Sequence, residues 1–371
     1  MSSHGTPRRD SLGNGRLQML NDRDPALEPK IIYPNFKLIQ TGVSSTIFSL
    51  WSALRSMGVD VTIAGVRPNN YNLSSEVGKE AASGVVVWHA RRNIEMLAGL
   101  LLKMLRPSTR VVFTSAAQRK HTCYTDFLMS KVDAVVATSE TSASFVERET
   151  RIIPHGVDTA RFSPADRTTL KRELGLDPQA SYVGVFGAVR PSKGTDIFIE
   201  AMIANAGQRP DWKAVIVGNV VSAQRPFYDA LRQRIEDASL SDRISFLGHV
   251  ADARDYIRAM DICVAASRNE GFGLTPLEAM SSGVAVVASS AGSYAETVVD
   301  GWSGLLFETG SAPALARSLA VIMDDDERRM EMGRNGREHV LTSFSIQKEA
   351  EALLALYREV AWDPLKGGRR S

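Results

Sequence analysis

The sequence has 371 residues, of which 44% are hydrophobic and 23% charged, with a formal net charge of +2. This composition is typical of a soluble globular protein with room for two domains, and the near-neutral charge does not favour nucleic-acid binding. The N-terminal residues lack the apolar segment of a signal peptide, and no stretch is long enough to predict a membrane span. We therefore expect a flexible tail over residues 1–28 and a cytoplasmic protein.

Two series of short β-branched runs alternate with helical patterns, which predicts βαβ units, parallel sheets and an α/β fold. The first series begins with "KIIYPNF", "TIFSLWSALRSMG", "DVTIAGV" and "GVVVWHA". A second, with "SYVGVFGAV", "KAVIVGN" and "ICVAAS", follows the irregular segment "RIIPHGVDTARFSPADR". We expect an N-terminal domain over residues 29–165, a C-terminal domain over residues 166–345 and a last helix within residues 346–371.

The cysteines offer no cross-link and no metal site. Only Cys123 and Cys263 occur, far apart in the sequence and outside any CxxC motif or Cys/His cluster. The sequence therefore predicts neither a disulfide framework nor a zinc site, and a reducing compartment is the simpler interpretation.

The segment "NEGFGLTPLEAMSSG" follows a short apolar strand and predicts a helix with well-marked ends. Thr275, Pro276 and Glu278 fit the N-cap, N1 and N3 positions of a capping box, and Gly283 supplies the stop. Glu278 therefore has a structural interpretation, as a carboxylate bonded to the Thr275 amide. A ligand-binding interpretation competes with it, and both stay open on the sequence alone.

Two loops follow strands of the second series, at the edge where open α/β sheets bind ligands. "RNEGFGL" offers glycine amides to an anion, and its Glu270 can accept hydrogen bonds from sugar hydroxyls. "RPSKGTD" carries Arg190 and Lys193, whose charges suit a diphosphate and can stabilise it as a leaving group. Each of these side chains could instead be an ordinary solvated loop residue. Neither loop is a Walker A or GxGxxG sequence.

Four segments together resemble the retaining glycosyltransferases of the GT-B fold, family 4: "GAVRPSKGTDIFIEAM", "NEGFGLTPLEAM", "RIIPHGVD" and "AGSYAETVVDGWSGLLF". "VVVWHARRN" and "FTSAAQRKHT" are further similar to lipopolysaccharide core mannosyltransferases of Gram-negative bacteria. The resemblance implies two Rossmann-like domains whose parallel sheets face each other across a cleft, with the last helix returning to the first domain. It also implies transfer of a hexose, specifically mannose from GDP-mannose, onto a lipopolysaccharide core or similar membrane glycolipid.

Residue roles on the donor side follow from this resemblance. Glu270 would bind the transferred sugar, Glu278 the ribose hydroxyls and Lys193 the diphosphate. The arginine that usually follows the glycine of the first loop is Ala188 here, and Arg190 would supply its charge from a shifted position. The further donor contacts implied are Gly42, Val43 and the amides of Gly271, Phe272, Gly273 and Leu274.

The same resemblance implies a front-face reaction in which the departing phosphate takes the acceptor proton, with no cofactor and no metal. His89 matches a family histidine that faces the donor sugar. A partly buried strand-end histidine is its structural alternative. Rival functions are transfer from a UDP-sugar, nucleotide-sugar 2-epimerisation and non-catalytic sensing of nucleotide-sugars.

Basic residues outnumber acidic ones between residues 88 and 131, which suits an acidic glycolipid acceptor and contact with the inner membrane. The acceptor candidates are Arg91, Arg92, Arg119 and His121. Within this region "NIEMLAGLLLKMLRP" could lie on the cytoplasmic face of the membrane as an amphipathic helix, but the pattern favours a core helix of an α/β domain.

Overall fold

The computed structural model describes residues 28–36, 42–65 and 84–362, except for the side chains of residues 42–44. Two six-stranded sheets, each entirely parallel, organise this part of the chain. The central strands are buried on both faces and are mostly apolar, as parallel sheets covered by helices require, whereas the edge strand Arg151–Ile152 is exposed. The predicted α/β class with two parallel sheets is confirmed.

The first sheet has the order β2-β1-β3-β4-β5-β6. Ile31 of its second strand pairs with Val61 on one side and Val87 on the other. The elements of this domain are β1 Lys30–Asn35, α1 Gly42–Ser56, β2 Val61–Gly65, β3 Val86–Ala90, α2 Asn93–Leu105, β4 Thr109–Ser115, α3 Cys123–Met129, β5 Ala134–Ala137, α4 Glu140–Ala143 and β6 Arg151–Ile152.

The second sheet has the order β12-β11-β10-β7-β8-β9. Its elements, with the helix that follows them, are α5 Arg167–Glu173, β7 Ser181–Phe186, α6 Thr195–Ala206, β8 Trp212–Val217, α7 Arg225–Asp237, β9 Ile244–Gly248, α8 Arg254–Ala259, β10 Ile262–Ala265, α9 Leu274–Ser281, β11 Ala285–Ser289, α10 Tyr294–Thr297, β12 Leu305–Phe307, α11 Ala312–Met323, α12 Asp326–Ser343 and α13 Ile346–Ala361. Short 3₁₀ turns occupy Pro191–Lys193 and Ser222–Gln224.

The strand order locates a ligand site in each domain. In the second sheet the order reverses between β7 and β10, and in the first it reverses between β1 and β3. Open α/β sheets bind ligands beyond the carboxyl ends of the strands at such switch points. The loops after β7 and β10 are the two loops that the sequence analysis singled out.

The last helix, α13, is part of the core of the first domain. Its apolar face packs with the buried side chains of β1 and α1, among them Ile31 and Leu54. The Tyr357 hydroxyl, also on α13, lies 2.6 Å from the Tyr33 hydroxyl. Glu28, at the end of the expected flexible tail, is ion-paired with Arg358 at 2.6 Å. Residues 1–27 lie outside the described residues.

Polar contacts between described residues join the two domains beside the cleft. Gln118, after β4, donates a hydrogen bond of 2.8 Å to the Gly271 carbonyl of the loop after β10. The Glu296 carboxylate of α10 accepts from the amides of Glu140 and Thr141, at 2.7 and 2.9 Å, and from the Thr141 hydroxyl. Within the described residues, no helix combines the length and apolar character that crossing a bilayer requires.

Candidate active site

The loops after β7 and β10 are fastened to each other at the switch point. Arg268 donates two side-chain hydrogen bonds, of 2.8 and 2.7 Å, to the carboxylate of Asp196, and its amide bonds the Ser192 carbonyl at 2.9 Å. Burial alone would raise the pKa of Asp196, but the hydrogen bonds and charge of Arg268 hold it below its usual value. The bidentate pair therefore fixes one loop against the other.

Gly194 permits the close approach of these loops. It adopts φ = 68°, and a Cβ placed there would lie 2.0 Å from the Ala266 carbonyl oxygen. A side chain would meet both a steric clash and an unfavourable backbone conformation. The glycine after Lys193 therefore determines how near that lysine comes to the end of β10.

Glu270 lies at the centre of the paired loops. Its Oε2 atom accepts hydrogen bonds from the Lys193 ammonium, from the Ser267 hydroxyl at 3.0 Å and from the Tyr294 hydroxyl at 3.2 Å. Burial and the adjacent Glu270 carboxylate raise the pKa of Tyr294, so its hydroxyl keeps its proton as a donor. Among the described residues no hydrogen bond reaches Oε1 of Glu270. This oxygen can accept a hydrogen bond from a ligand hydroxyl.

The expected capping box at α9 is wrong. The helix begins one residue before Thr275, at Leu274, and Gly273 is its N-cap with φ = 70° and no side-chain cap bond. A Cβ at Gly273 would lie 2.4 Å from the Tyr294 ring, so this position packs against the side chains that hold Glu270. The backbone amides of the first turn have no carbonyl acceptor within the helix, so they can donate to an anion. Gly283 follows the last turn of the helix with φ = 70°, as predicted for the residue that ends it.

Glu278 therefore does not cap the helix. In the described part of the chain its carboxylate accepts no hydrogen bond, and the helix start has no side-chain cap. Although part of the side chain stays accessible, desolvation raises the pKa of Glu278 to about 7, with Arg161 opposing and Asp252 reinforcing the shift. A carboxylate without donors is poised to accept hydrogen bonds from a ligand that brings them.

Arg190 precedes the 3₁₀ turn that carries Lys193, and its side chain is exposed. Its guanidinium forms no hydrogen bond or ion pair with another described residue. A charge in this position can turn towards a diphosphate in the cleft, which is the compensation that the missing arginine at Ala188 requires. Gly42 and Val43 open α1 at the switch point of the first sheet, and residues 37–41 before them lie outside the described residues.

His89 does not face the cleft as expected. Its ring is 0% exposed, with Nδ1 at 2.5 Å from the Tyr357 hydroxyl and Nε2 at 2.6 Å from the Thr114 hydroxyl. Burial, with Arg91 and His155 nearby, holds the pKa of His89 well below its usual value, so the ring is neutral. The strand-end alternative describes this position better, because one nitrogen bonds α13 and the other bonds the neighbouring strand β4.

Two of the four acceptor candidates are not on an open surface. The Arg91 side chain is 4% exposed and donates to the Thr46 hydroxyl at 2.5 Å. Arg92 bonds Glu95 at 2.5 Å and is largely covered. These arginines follow β3 and turn into the domain, which corrects the expectation of free guanidinium groups. Arg119 is exposed, and His121 lies 3.3 Å from the Ser115 hydroxyl, both in the loop after β4 that reaches the cleft.

Comparison with known proteins bears on both domains. Residues 166–339 match the family model described as glycosyl transferases group 1. The chain is 41% identical over 342 residues to the lipopolysaccharide core biosynthesis mannosyltransferase LpsB of Rhizobium meliloti (strain 1021), covering 89% of this chain and 97% of that protein. The chain belongs to the group 1 glycosyltransferases. The resemblance inferred from the sequence motifs is therefore confirmed.

A second relative and a solved structure extend the match. The glycosyltransferase is 41% identical over 347 residues to the lipopolysaccharide core biosynthesis mannosyltransferase LpcC of Rhizobium leguminosarum bv. viciae, covering 90% of this chain and 97% of that protein. Anabaena Alr3699/HepE, crystallised with UDP and glucose, matches with a TM-score of 0.74 at 20% identity, over 89% of this chain and 99% of that one. At this identity the likeness bears on fold alone, and it confirms the GT-B architecture.

The side chains that position the site in this glycosyltransferase were not predicted from the sequence. Tyr294 and Arg268 hold Glu270 and the Lys193 loop, while Gln118 and Glu296 join the domains. A polar residue in a loop has no periodicity that would distinguish it from a solvated one. All four residues lie within segments whose motifs were quoted, and this position was the signal that could have pointed to them.

Proposed function

We propose that this glycosyltransferase transfers mannose from GDP-mannose, with retention of configuration, onto a lipopolysaccharide core or similar acidic glycolipid. The observation that carries the proposal is Glu270, whose one carboxylate oxygen has three donors while the other meets no hydrogen bond from the described residues beside the start of α9. The names of LpsB and LpcC support the choice of mannose and of the core acceptor.

In the proposed donor complex, Glu270 Oε1 accepts a hydrogen bond from a hydroxyl of the transferred sugar. The diphosphate lies at the N-terminus of α9, where unbonded amides and the helix dipole favour negative charge. Lys193 then divides its ammonium between Glu270 and the diphosphate, and Arg190 turns in from the adjacent turn. Glu278 accepts from the ribose hydroxyls.

The proposed chemistry is leaving-group departure assisted by fixed cations. As the bond from the anomeric carbon to the phosphate oxygen breaks, negative charge grows on the diphosphate, and Lys193 and the α9 amides stabilise it. The acceptor hydroxyl attacks from the same face and gives its proton to the departing phosphate. Glu270 is held by Lys193, Ser267 and Tyr294 on the hydroxyl side, so we assign it to binding rather than to nucleophilic attack.

Thermal unfolding of the protein with nucleoside diphosphates and their sugars, in the presence of EDTA, tests the donor. Ligands that bind only the folded state raise the melting temperature, by an amount set by concentration over Kd. We expect shifts with GDP and GDP-mannose, and smaller ones in Lys193→Ala. Shifts with UDP ligands alone would replace mannose by another sugar. A requirement for a divalent metal would refute the proposed mechanism, in which side-chain cations stabilise the diphosphate without a metal.

A transfer assay tests the reaction itself. With GDP-[¹⁴C]mannose and a truncated lipopolysaccharide core as acceptor, we expect labelled glycolipid and free GDP in equal amounts. Formation of an epimerised nucleotide-sugar without acceptor would favour the 2-epimerase instead. Tight GDP-mannose binding without any product would favour a sensor.

A further inference from the structure

Helix α2 exposes an apolar face where a surface helix normally carries its polar one. Its outward side presents four large hydrophobic side chains, of which Met104 is 80% and Leu105 85% exposed; the others are Ile94 and Leu101. The charged residues of the helix are turned away, since Glu95 is fully buried and Lys103 is ion-paired with Asp133 at 2.7 Å. The helix packs on the first sheet through Met96 and Gly99, as the core-helix interpretation expects, but its outer face is apolar rather than polar.

Helix α3 enlarges the same face. Asn93 at the start of α2 donates to the Thr125 hydroxyl of α3 at 2.8 Å, so the helices lie side by side. From α3, Tyr124 and Phe127 are both exposed by more than half. Six large apolar side chains on adjacent helices form a surface that we call the α2–α3 face. Exposed patches of this kind usually mark a docking site.

The surroundings of the α2–α3 face are predominantly basic, although Asp126 of α3 is partly exposed there. Arg119 and Lys120 are exposed just before α3, and Lys131 just after it, with its ammonium 5.5 Å from the Phe127 ring centroid. The carboxylate of Asp133, near α3, is almost fully covered and already paired with Lys103. Apolar residues with cations at their edge complement a bilayer that has anionic headgroups.

We propose that the α2–α3 face docks this protein on an anionic lipid bilayer, with the apolar side chains at the acyl boundary and the cations among the headgroups. A second copy of the chain fits less well, because a two-fold interface would oppose the same cations to one another. Docking does not depend on the proposed function. Only the benefit of docking, delivery of a membrane glycolipid to the cleft, rests on that function.

Docking would also orient the cleft. The loop between β4 and α3 carries Arg119 and His121, and in the same loop Gln118 bonds the Gly271 carbonyl beside Glu270. The face that meets the bilayer and the wall of the cleft are thus two ends of one short segment. A glycolipid headgroup rising from the membrane would reach the cleft past the acceptor candidates on this loop.

Flotation of the full-length protein with lipid vesicles tests the proposal without any activity readout. We expect binding to vesicles of phosphatidylglycerol and phosphatidylethanolamine, and at least tenfold weaker binding to phosphatidylcholine. The triple variant Leu101→Ser, Met104→Ser, Leu105→Ser should bind at least about tenfold more weakly, since apolar area sets the interfacial affinity. The matched control, Val321→Ser, Met330→Ser, Leu341→Ser, removes three exposed apolar side chains from the second domain and should bind as the wild type does.

The charge contribution has its own variant, Lys120→Glu with Lys131→Glu, which should lose binding to anionic vesicles and remove the salt dependence. Absence of wild-type binding to any vesicle would overturn the proposal, whatever the donor assays give. Equal loss in the second-domain control would also overturn it. So would a wild-type dimer in solution that the α2 triple variant converts to a monomer, because the face would then be a contact between copies.

Discussion

Replacing Glu278 by glutamine should stabilise the ligand-free protein at neutral pH while weakening its binding of GDP. The pKa of Glu278 is raised to about 7 by desolvation, against a reference value of 4.5. Between these values the unfolded chain ionises its carboxyl freely, whereas the folded chain must keep the proton or ionise a desolvated group. The wild type therefore loses stability as the pH rises through this window, and the loss is complete above pH 7.

The magnitude follows from the size of the shift. A pKa raised from 4.5 to about 7 corresponds to roughly 3 kcal/mol of unfolding free energy above pH 7. Because part of the side chain is accessible, we expect about 1–3 kcal/mol. Glutamine does not titrate, so the gain of Glu278→Gln over wild type should be near zero at pH 4.5, grow through pH 6 and level off by pH 8.

Melting curves from pH 5 to pH 8, with and without saturating GDP, measure both effects. The variant should melt higher than wild type at pH 8 without ligand, and GDP should raise its melting temperature by less, because the anionic acceptor for the ribose hydroxyls is gone. Glu351→Gln, an exposed carboxylate on α13, is the control and should be neutral. A Glu278→Gln difference that is constant with pH would refute the desolvation argument, and unchanged GDP protection would refute the ribose role.

Three further predictions concern the loops and the domain contacts. Lys193→Ala should lower kcat/KM by about 10²–10³-fold with little change in melting temperature, because the charge on the leaving diphosphate loses its partner. Arg190→Ala should approach that loss if Arg190 compensates for the arginine missing at Ala188. Normal turnover in Arg190→Ala would mean that the missing charge is not replaced. Arg268→Ala should lower kcat by roughly tenfold, and Asp196→Asn in the same protein should add little, since the two act as one pair; additive losses would show independent roles. Glu296→Ala removes the hydrogen bonds to α4 and should increase the radius of gyration in solution X-ray scattering of the ligand-free protein, whereas an unchanged radius would show that this contact does not hold the domains together.

The donor side of the site was largely predictable because parallel sheets convert chain order into position. Once "RPSKGTD" and "RNEGFGL" were assigned to the ends of strands, their meeting followed from the strand order. The capping box failed for a local reason. Thr275 satisfies the motif, but Gly273 can adopt a left-handed conformation that starts the helix earlier, and its packing against Tyr294 selects that start.

The first domain was less predictable because distant partners decide its side-chain directions. His89 is turned inward by Tyr357, which lies 268 positions away in the sequence. Likewise, the apolar run of α2 has the same pattern whether its outer face is covered by protein or left exposed. Periodicity records which residues are apolar, and the number of available neighbours decides whether they are buried.

The position of α13 has a consequence for how the chain folds as it is synthesised. Leu353, Leu354 and Tyr357 complete the core that begins with Ile31 of the first strand, and within it Tyr33 and Tyr357 are 324 positions apart. The ribosome must therefore have released α13 before the core of the first domain can close. The second domain, whose core needs no later segment, can form first. A truncation that removes α13 would therefore unfold the first domain, although most of that domain lies far upstream in the sequence.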